Sequence, residues 1–105
     1  MLKHNREFQR VYRQGKSAHS HALVLFYLPN LPMISVGYTA SKKVGNAVKR
    51  NRAKRRMRAL FASLAPQLAG GSYILVAKSA TVEVPFADLE NMLRKMAHRV
   101  GALAE

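Results

Sequence analysis

The chain contains no cysteine. That excludes disulfides, thiolate nucleophiles and cysteine-based zinc sites, and it is compatible with a reducing compartment. Acidic residues are nearly as scarce. Glu7, Glu83, Asp88, Glu90 and Glu105 are the whole supply, and they show no paired-carboxylate pattern of the kind a nuclease metal site needs. The histidines are His4, His19, His21 and His98. His19 and His21 alternate and could share one face of an extended segment, but two histidines without a nearby carboxylate or thiol make a weak metal site. No metal ligands are expected on the chain. No Ser-His-Asp or Cys-His arrangement can be drawn either, so no catalytic residue is expected. Long apolar runs are also missing. The most apolar stretch, Ala22 to Leu28, is too short to span a bilayer, and the opening Met1-Leu2-Lys3-His4-Asn5 leads into nothing resembling a signal peptide. A soluble, intracellular (cytoplasmic) protein is expected.

Positive charge is what the chain has in excess. Eighteen Lys and Arg against five Asp and Glu give a formal charge of +13. A compact chain with this imbalance repels itself unless a polyanion neutralises it, which points to nucleic acid first and an anionic membrane surface second. The hydrophobic share of 49% is that of a folded protein. The length of 105 residues suits one domain spanning 1–105, with no room for a second module.

The hydrophobic pattern predicts alternating helices and strands. Phe8, Val11 and Tyr12 fall on one face of a helix over 5–14, with Asn5 as N-cap and Gly15 at a left-handed C-cap. Ala22–Leu28 reads as a strand. After the Pro29-Asn30-Leu31-Pro32 punctuation, 33–40 reads as a second strand, pairing with the first in an antiparallel hairpin. Ala53, Met57, Leu60, Phe61 and Leu64 form one apolar stripe on a helix over 46–64. A strand follows at 72–78. Pro85 introduces a last helix over roughly 86–103, with Leu89, Leu93, Met96, Val100 and Leu103 buried. A short strand near 17–20 completes an α+β sandwich with helices over one sheet face.

The informative segment runs from Ser41 to Arg58. Lys42, Lys43, Lys49, Arg50, Arg52, Lys54, Arg55, Arg56 and Arg58 are half of all the basic residues, and no acid interrupts them. With the Met57–Phe61 stripe facing inward, Asn51, Arg52, Arg55 and Arg58 lie on the far side or its flank. An ordinary solvated face would mix charges. Here like charges repel at i, i+3 and i+4 without relief, a cost that an anionic partner offsets. Arginine suits phosphate through its planar, permanently charged fork, and Asn51 can bond a base edge or a 2′-hydroxyl. A membrane-surface helix would need its apolar stripe free for lipid, and that stripe is committed to the core.

The block Ser41-Lys42-Lys43-Val44-Gly45-Asn46-Ala47-Val48, followed by Arg50-Asn51-Arg52 and Lys54-Arg55, closely resembles the signature of the bacterial ribonuclease P protein. The resemblance extends to Asn5–Ser17, to Leu23–Phe26 and to Ser72–Lys78. It implies a small α-β-β-β-α-β-α two-layer sandwich with a left-handed β-α-β crossover, also known from a ribosomal protein. It implies that a catalytic RNA holds the catalytic Mg2+ and cleaves precursor tRNA to remove the 5′ leader. The protein would bind that ribonuclease P RNA and the leader and lower the magnesium requirement. RNA-binding residues would then be Lys42, Lys43, Asn46, Arg50, Asn51, Arg52, Lys54, Arg55 and Arg58. A leader cleft would use Phe8, Tyr12 and Phe26, whose faces can stack on unpaired bases without demanding one sequence. Plain core packing is the ordinary alternative for these three rings. The segment Ala18-His19-Ser20-His21 departs from the family pattern, where an Asn-Arg or similar pair is common. The partners implied are the RNA subunit and precursor tRNA, with no membrane and no small-molecule substrate. The competing readings are a ribosomal-type structural RNA-binding protein, which would not help a catalytic RNA at low magnesium, and a helix-based DNA binder, which the apolar Met57–Phe61 stripe disfavours.

Overall fold

The computed structural model describes residues 5–103; His4 and Glu105 lie outside them. The elements are α1 (Asn5–Gln14), β1 (Lys16–His19), β2 (Leu23–Leu28), β3 (Ile34–Ala40), α2 (Ala47–Leu64), β4 (Gly71–Ala77) and α3 (Phe86–Arg99). Short 3-10 turns precede α2 (Lys42–Val44), follow it (Ala65–Gln67) and precede α3 (Ser79–Val82).

The four strands form one sheet in the order β1-β2-β4-β3. β1 pairs antiparallel with β2, β2 antiparallel with β4, and β3 parallel with β4. The expected hairpin between the second and third strands is therefore not formed, because β4 lies between them. Sequence neighbours usually pair in space, but burial decides otherwise here. β4 is buried along nearly its whole length, whereas β3 is half-buried residue by residue. A strand apolar on both faces is stable only in the middle of a sheet, so β4 takes the centre and β3 the edge. The connection 29–33, with two prolines, is a wide link rather than a tight turn, and Gly71 N–H donates to the Met33 carbonyl at 3.1 Å where β4 begins beside β3.

Strand alternation divides the sheet into two faces. Leu23, Leu25 and Tyr27 of β2 and Tyr73, Leu75 and Ala77 of β4 join the main core. That core is completed by the expected α2 stripe of Ala53, Met57, Leu60, Phe61 and Leu64, and by Leu89, Leu93, Met96 and Ala97 of α3. Tyr73 sits at its centre, with ring centroids 4.8 Å from Tyr27 and 5.2 Å from Phe61. The opposite face carries a smaller cluster, in which Val11 of α1 packs with Ile74 and is flanked by Phe8, Phe26, Leu28 and Val76. The expectation of helices over one face thus holds for α2 and α3, while α1 lies on the other side.

Gly15 closes α1 for a different reason from the one expected. It is not among the positive-φ glycines. Its amide donates to the Val11 carbonyl at 2.8 Å, and a Cβ there would sit 2.6 Å from Val11 O and 2.8 Å from Tyr27 O. Close backbone approach, not a left-handed turn, requires glycine. Asn5, expected as the cap, is the first residue of α1. α3 stops at Arg99 rather than near 103, because Gly101 at φ +82° turns the chain and the Ala102 and Leu103 amides bond back to Ala97. Leu103 still joins the core, as a bridge partner of Leu68.

Candidate RNA interface

The basic segment is built by a turn that aims α2. Ser41 Oγ accepts from the Lys43 amide at 3.2 Å, and Gly45 takes φ +143°, a conformation that strains any L side chain. Asn46 then caps α2, its Oδ1 accepting from the Lys49 amide at 3.0 Å. The signature block from Ser41 to Asn46 thereby starts the helix at a defined angle. Its outer face follows from the periodicity: with Ala53, Met57 and Leu60 inward, Asn51, Arg52, Arg55 and Arg58 are exposed.

The expected RNA-binding residues divide by environment. Lys42 and Lys43 are exposed on the 3-10 turn after β3, and Asn51, Arg52 and Arg55 are exposed on the helix. Among the described residues, none of the Asn51, Arg52 and Arg55 side chains has a hydrogen-bond or ion-pair partner. Arg58 is exposed but lies over the Tyr38 ring, its guanidinium carbon 5.7 Å from the centroid. Burial pushes the Tyr38 phenol up from its ordinary pKa, against the pull of the Arg58 charge. Lys54 is half-buried. Arg50 is also half-buried, and its Nη1 donates to the Gly45 carbonyl at 3.0 Å, so it braces the turn that starts the helix. Asn46 is exposed, but its oxygen is committed to the cap. Arg56, which the resemblance did not include, donates from Nη1 to the Val82 carbonyl at 2.9 Å and from Nη2 to the Val84 carbonyl. It ties α2 to the approach to α3.

Two neighbours of this surface escaped sequence reasoning. Val48 is 74% exposed in the middle of the cationic face. The signal was available, because Val48 lies nine residues before Met57, about two and a half turns and therefore on the opposite side. Tyr38 reads in the sequence only as a strand residue. Its place under Arg58 depends on β3 being the edge strand beside α2, which no local pattern reveals.

The three aromatic candidates are brought together where α1 meets the sheet. Tyr12 meets Phe26 edge-to-face with centroids 4.8 Å apart, and Phe8 lies 6.4 Å from Tyr12. Phe8 and Phe26 are half-buried against the Val11–Ile74 cluster, while Tyr12 is 36% exposed. On the other flank of α1, a cavity of about 150 Å3 is lined by Glu7, Arg10, Val11, Asn30, Leu31 and Ser72. Among the described residues no three His, Asp or Glu lie close enough together to hold a metal ion. No helix among them is long and apolar enough to cross a membrane.

Known proteins resemble this chain in sequence and in fold. The ribonuclease P family model matches residues 1–101. The ribonuclease P protein component of a Nitratiruptor species is 44% identical over 99 residues, covering 94% of this chain and 90% of that one. The component from Symbiobacterium thermophilum is 39% identical over 105 residues, covering 97% and 91%. The structure of the Staphylococcus aureus RNase P protein is similar at a TM-score of 0.85 and 27% identity, covering 98% of this chain and 96% of that one. The chain belongs to the ribonuclease P protein component family, the protein subunit of the endoribonuclease that processes the 5′ ends of tRNA.

Proposed function

We propose that this chain binds the RNA subunit of ribonuclease P through the outer face of α2 and the turn before it. With that RNA it removes the 5′ leader of precursor tRNA. The observation that carries the reading is the unrelieved cationic surface of Lys42, Lys43, Arg52 and Arg55, with Asn51 among them, exposed and without partners among the described residues. Such a surface neutralises phosphates and releases their counterions on binding. Phe8, Tyr12 and Phe26 take the leader. Tyr12, exposed and packed edge-to-face with Phe26, is the most accessible of the three rings for stacking on unpaired bases. The magnesium ions of the reaction belong to the RNA partner. The chain's contribution is to offset RNA–RNA repulsion with fixed positive charge, which lowers the magnesium that the reaction requires. The reading goes with a bacterial cytoplasmic location, where tRNA precursors are made.

Reconstitution tests the reading. The chain is combined with a bacterial ribonuclease P RNA and labelled precursor tRNA at low millimolar magnesium. Cleavage at the mature 5′ end that depends on the chain is expected. A folded chain that binds the RNA without promoting cleavage overturns the proposal. In a second arm, Tyr12→Ala is expected to weaken holoenzyme binding of precursor tRNA by about fivefold or more, the equivalent of roughly 1 kcal/mol of stacking, and to leave binding of mature tRNA unchanged. Equal losses for both would remove Tyr12 from the leader site.

A further inference from the structure

α1 carries a second cationic stripe. Arg6, Arg10 and Arg13 stand at i, i+4 and i+7, and all three are exposed. At about 100° per residue they fall within one narrow arc, on the side of the helix opposite Phe8, Val11 and Tyr12. None of the three has a hydrogen-bond or ion-pair partner among the described residues. The like charges repel along the helix. The one acid of α1, Glu7, lies on the edge of the stripe, where it lines the cavity together with Arg10, and sets one carboxylate against three guanidiniums. A helix of ten residues is too short to be stable unaided, so it carries this repulsion at a cost that an anion on its outer side would remove.

The sheet separates this stripe from the one on α2. α2 packs on the face bearing Leu25 and Leu75, and α1 packs on the face bearing Phe26 and Ile74. The outer sides of the two helices therefore point away from each other. Arg6 and Arg10 lie about 120–160° around α1 from Tyr12, away from the flank where Tyr12 meets Phe26. An RNA strand stacked on those rings would not reach all three arginines.

We infer that Arg6, Arg10 and Arg13 form a second contact with the sugar–phosphate backbone of the ribonuclease P RNA subunit, on the opposite side of the sheet from α2. The inference rests on the proposed RNA-binding role and extends it: the protein is held by its RNA subunit from two sides. A stripe about 10 Å long on a single helix fits a short run of phosphates and reads no bases.

Three multiple variants of the full chain test this, with binding to a bacterial ribonuclease P RNA measured without precursor across a range of salt. The first replaces Arg6, Arg10 and Arg13 with Gln. The second replaces Arg52 and Arg55 with Gln. The third replaces Arg94, Lys95 and Arg99 of α3, all exposed, with Gln, and so removes the same net charge as the first. The α1 variant is expected to lose about tenfold or more in affinity and to flatten the log–log salt slope by about two units, at roughly 0.7–0.9 per lost phosphate contact. Its far-UV circular dichroism is expected to match wild type and its melting temperature to equal or exceed it, because repulsion along α1 is relieved, and Lys at the three positions is expected to restore most of the slope. A well-folded α1 variant with wild-type affinity and slope overturns the inference. Losses no larger than those of the α3 variant overturn it too, by assigning the effect to net charge alone. A separate titration of the holoenzyme with precursor tRNA at saturating protein closes the remaining route: a loss seen there alone assigns the stripe to the leader and also overturns the inference. If the α2 variant binds like wild type as well, the RNA-binding role of α2 falls with it. If only the α1 variant does so, that role stands and the second contact does not.

Discussion

Ten residues between Lys42 and Arg58 are basic or are the Asn at position 51, yet they do different work. Arg52 and Arg55 face outward without partners among the described residues, whereas Arg56 donates to the carbonyls of Val82 and Val84. Charge alone does not distinguish them, but position around the helix does. Arg56→Ala leaves two carbonyls of the α3 approach without their donor, so it should destabilise the fold by roughly 1.5–3 kcal/mol, the range for a hydrogen bond to a charged group. Denaturant midpoints check this, and the salt slope of RNA binding should stay at the wild-type value. Buried tyrosines give a second residue-scale expectation. Burial pushes the Tyr73 phenol well above its ordinary 10.0, the neighbouring Tyr27 adds to the effect, and the Tyr73 hydroxyl donates to the Ala69 carbonyl. The folded state holds this proton more tightly than the unfolded chain does. Its contribution to stability is therefore complete below about pH 10 and is lost as pH climbs toward the raised folded value. The urea midpoint should fall as pH rises beyond about 10, and the fall should be shallower in Tyr73→Phe.

Elements were legible to the extent that their periodicity was local. The α2 stripe from Ala53 to Leu64 and the α3 stripe from Leu89 to Val100 are buried as the spacing predicts. The helix bounds 5–14 and 46–64 fall within a residue of Asn5–Gln14 and Ala47–Leu64. The C-terminal end of α3 and the reason for Gly15 were not legible. Both depend on contacts between backbone segments: Ala102 and Leu103 folding back on Ala97, and α1 approaching the Tyr27 carbonyl. The candidate site shows the same division. An outward Arg52–Arg55 face can be read from a wheel. The meeting of Phe8 and Tyr12 with Phe26 could be drawn only from the family resemblance, because it requires α1 to lie on a particular face of β2.

At the scale of the whole molecule, the charge of +13 is carried on both sides of a thin sheet, by α1 on one side and by α2 and α3 on the other. This self-repulsion is screened as salt rises from about 0.01 M to 0.15 M, where the Debye length falls from about 30 Å to about 8 Å. The melting temperature of the free protein should therefore rise over that range, by about 4–8 °C for each kcal/mol recovered. A flat profile would show that the charges are too widely spread to strain the fold. The sequence by itself determined the helices, the strand segments, the sign of the partner's charge and the family, because each is written in neighbouring residues: apolar spacing, turn residues and an unbroken basic block. Only the tertiary structure decided that β4 separates β2 from β3, that α1 takes the opposite face from α2 and α3, and that Arg50 and Arg56 brace the fold. These outcomes depend on which apolar faces find each other across the chain, and on which carbonyls are left for a guanidinium to satisfy once they have.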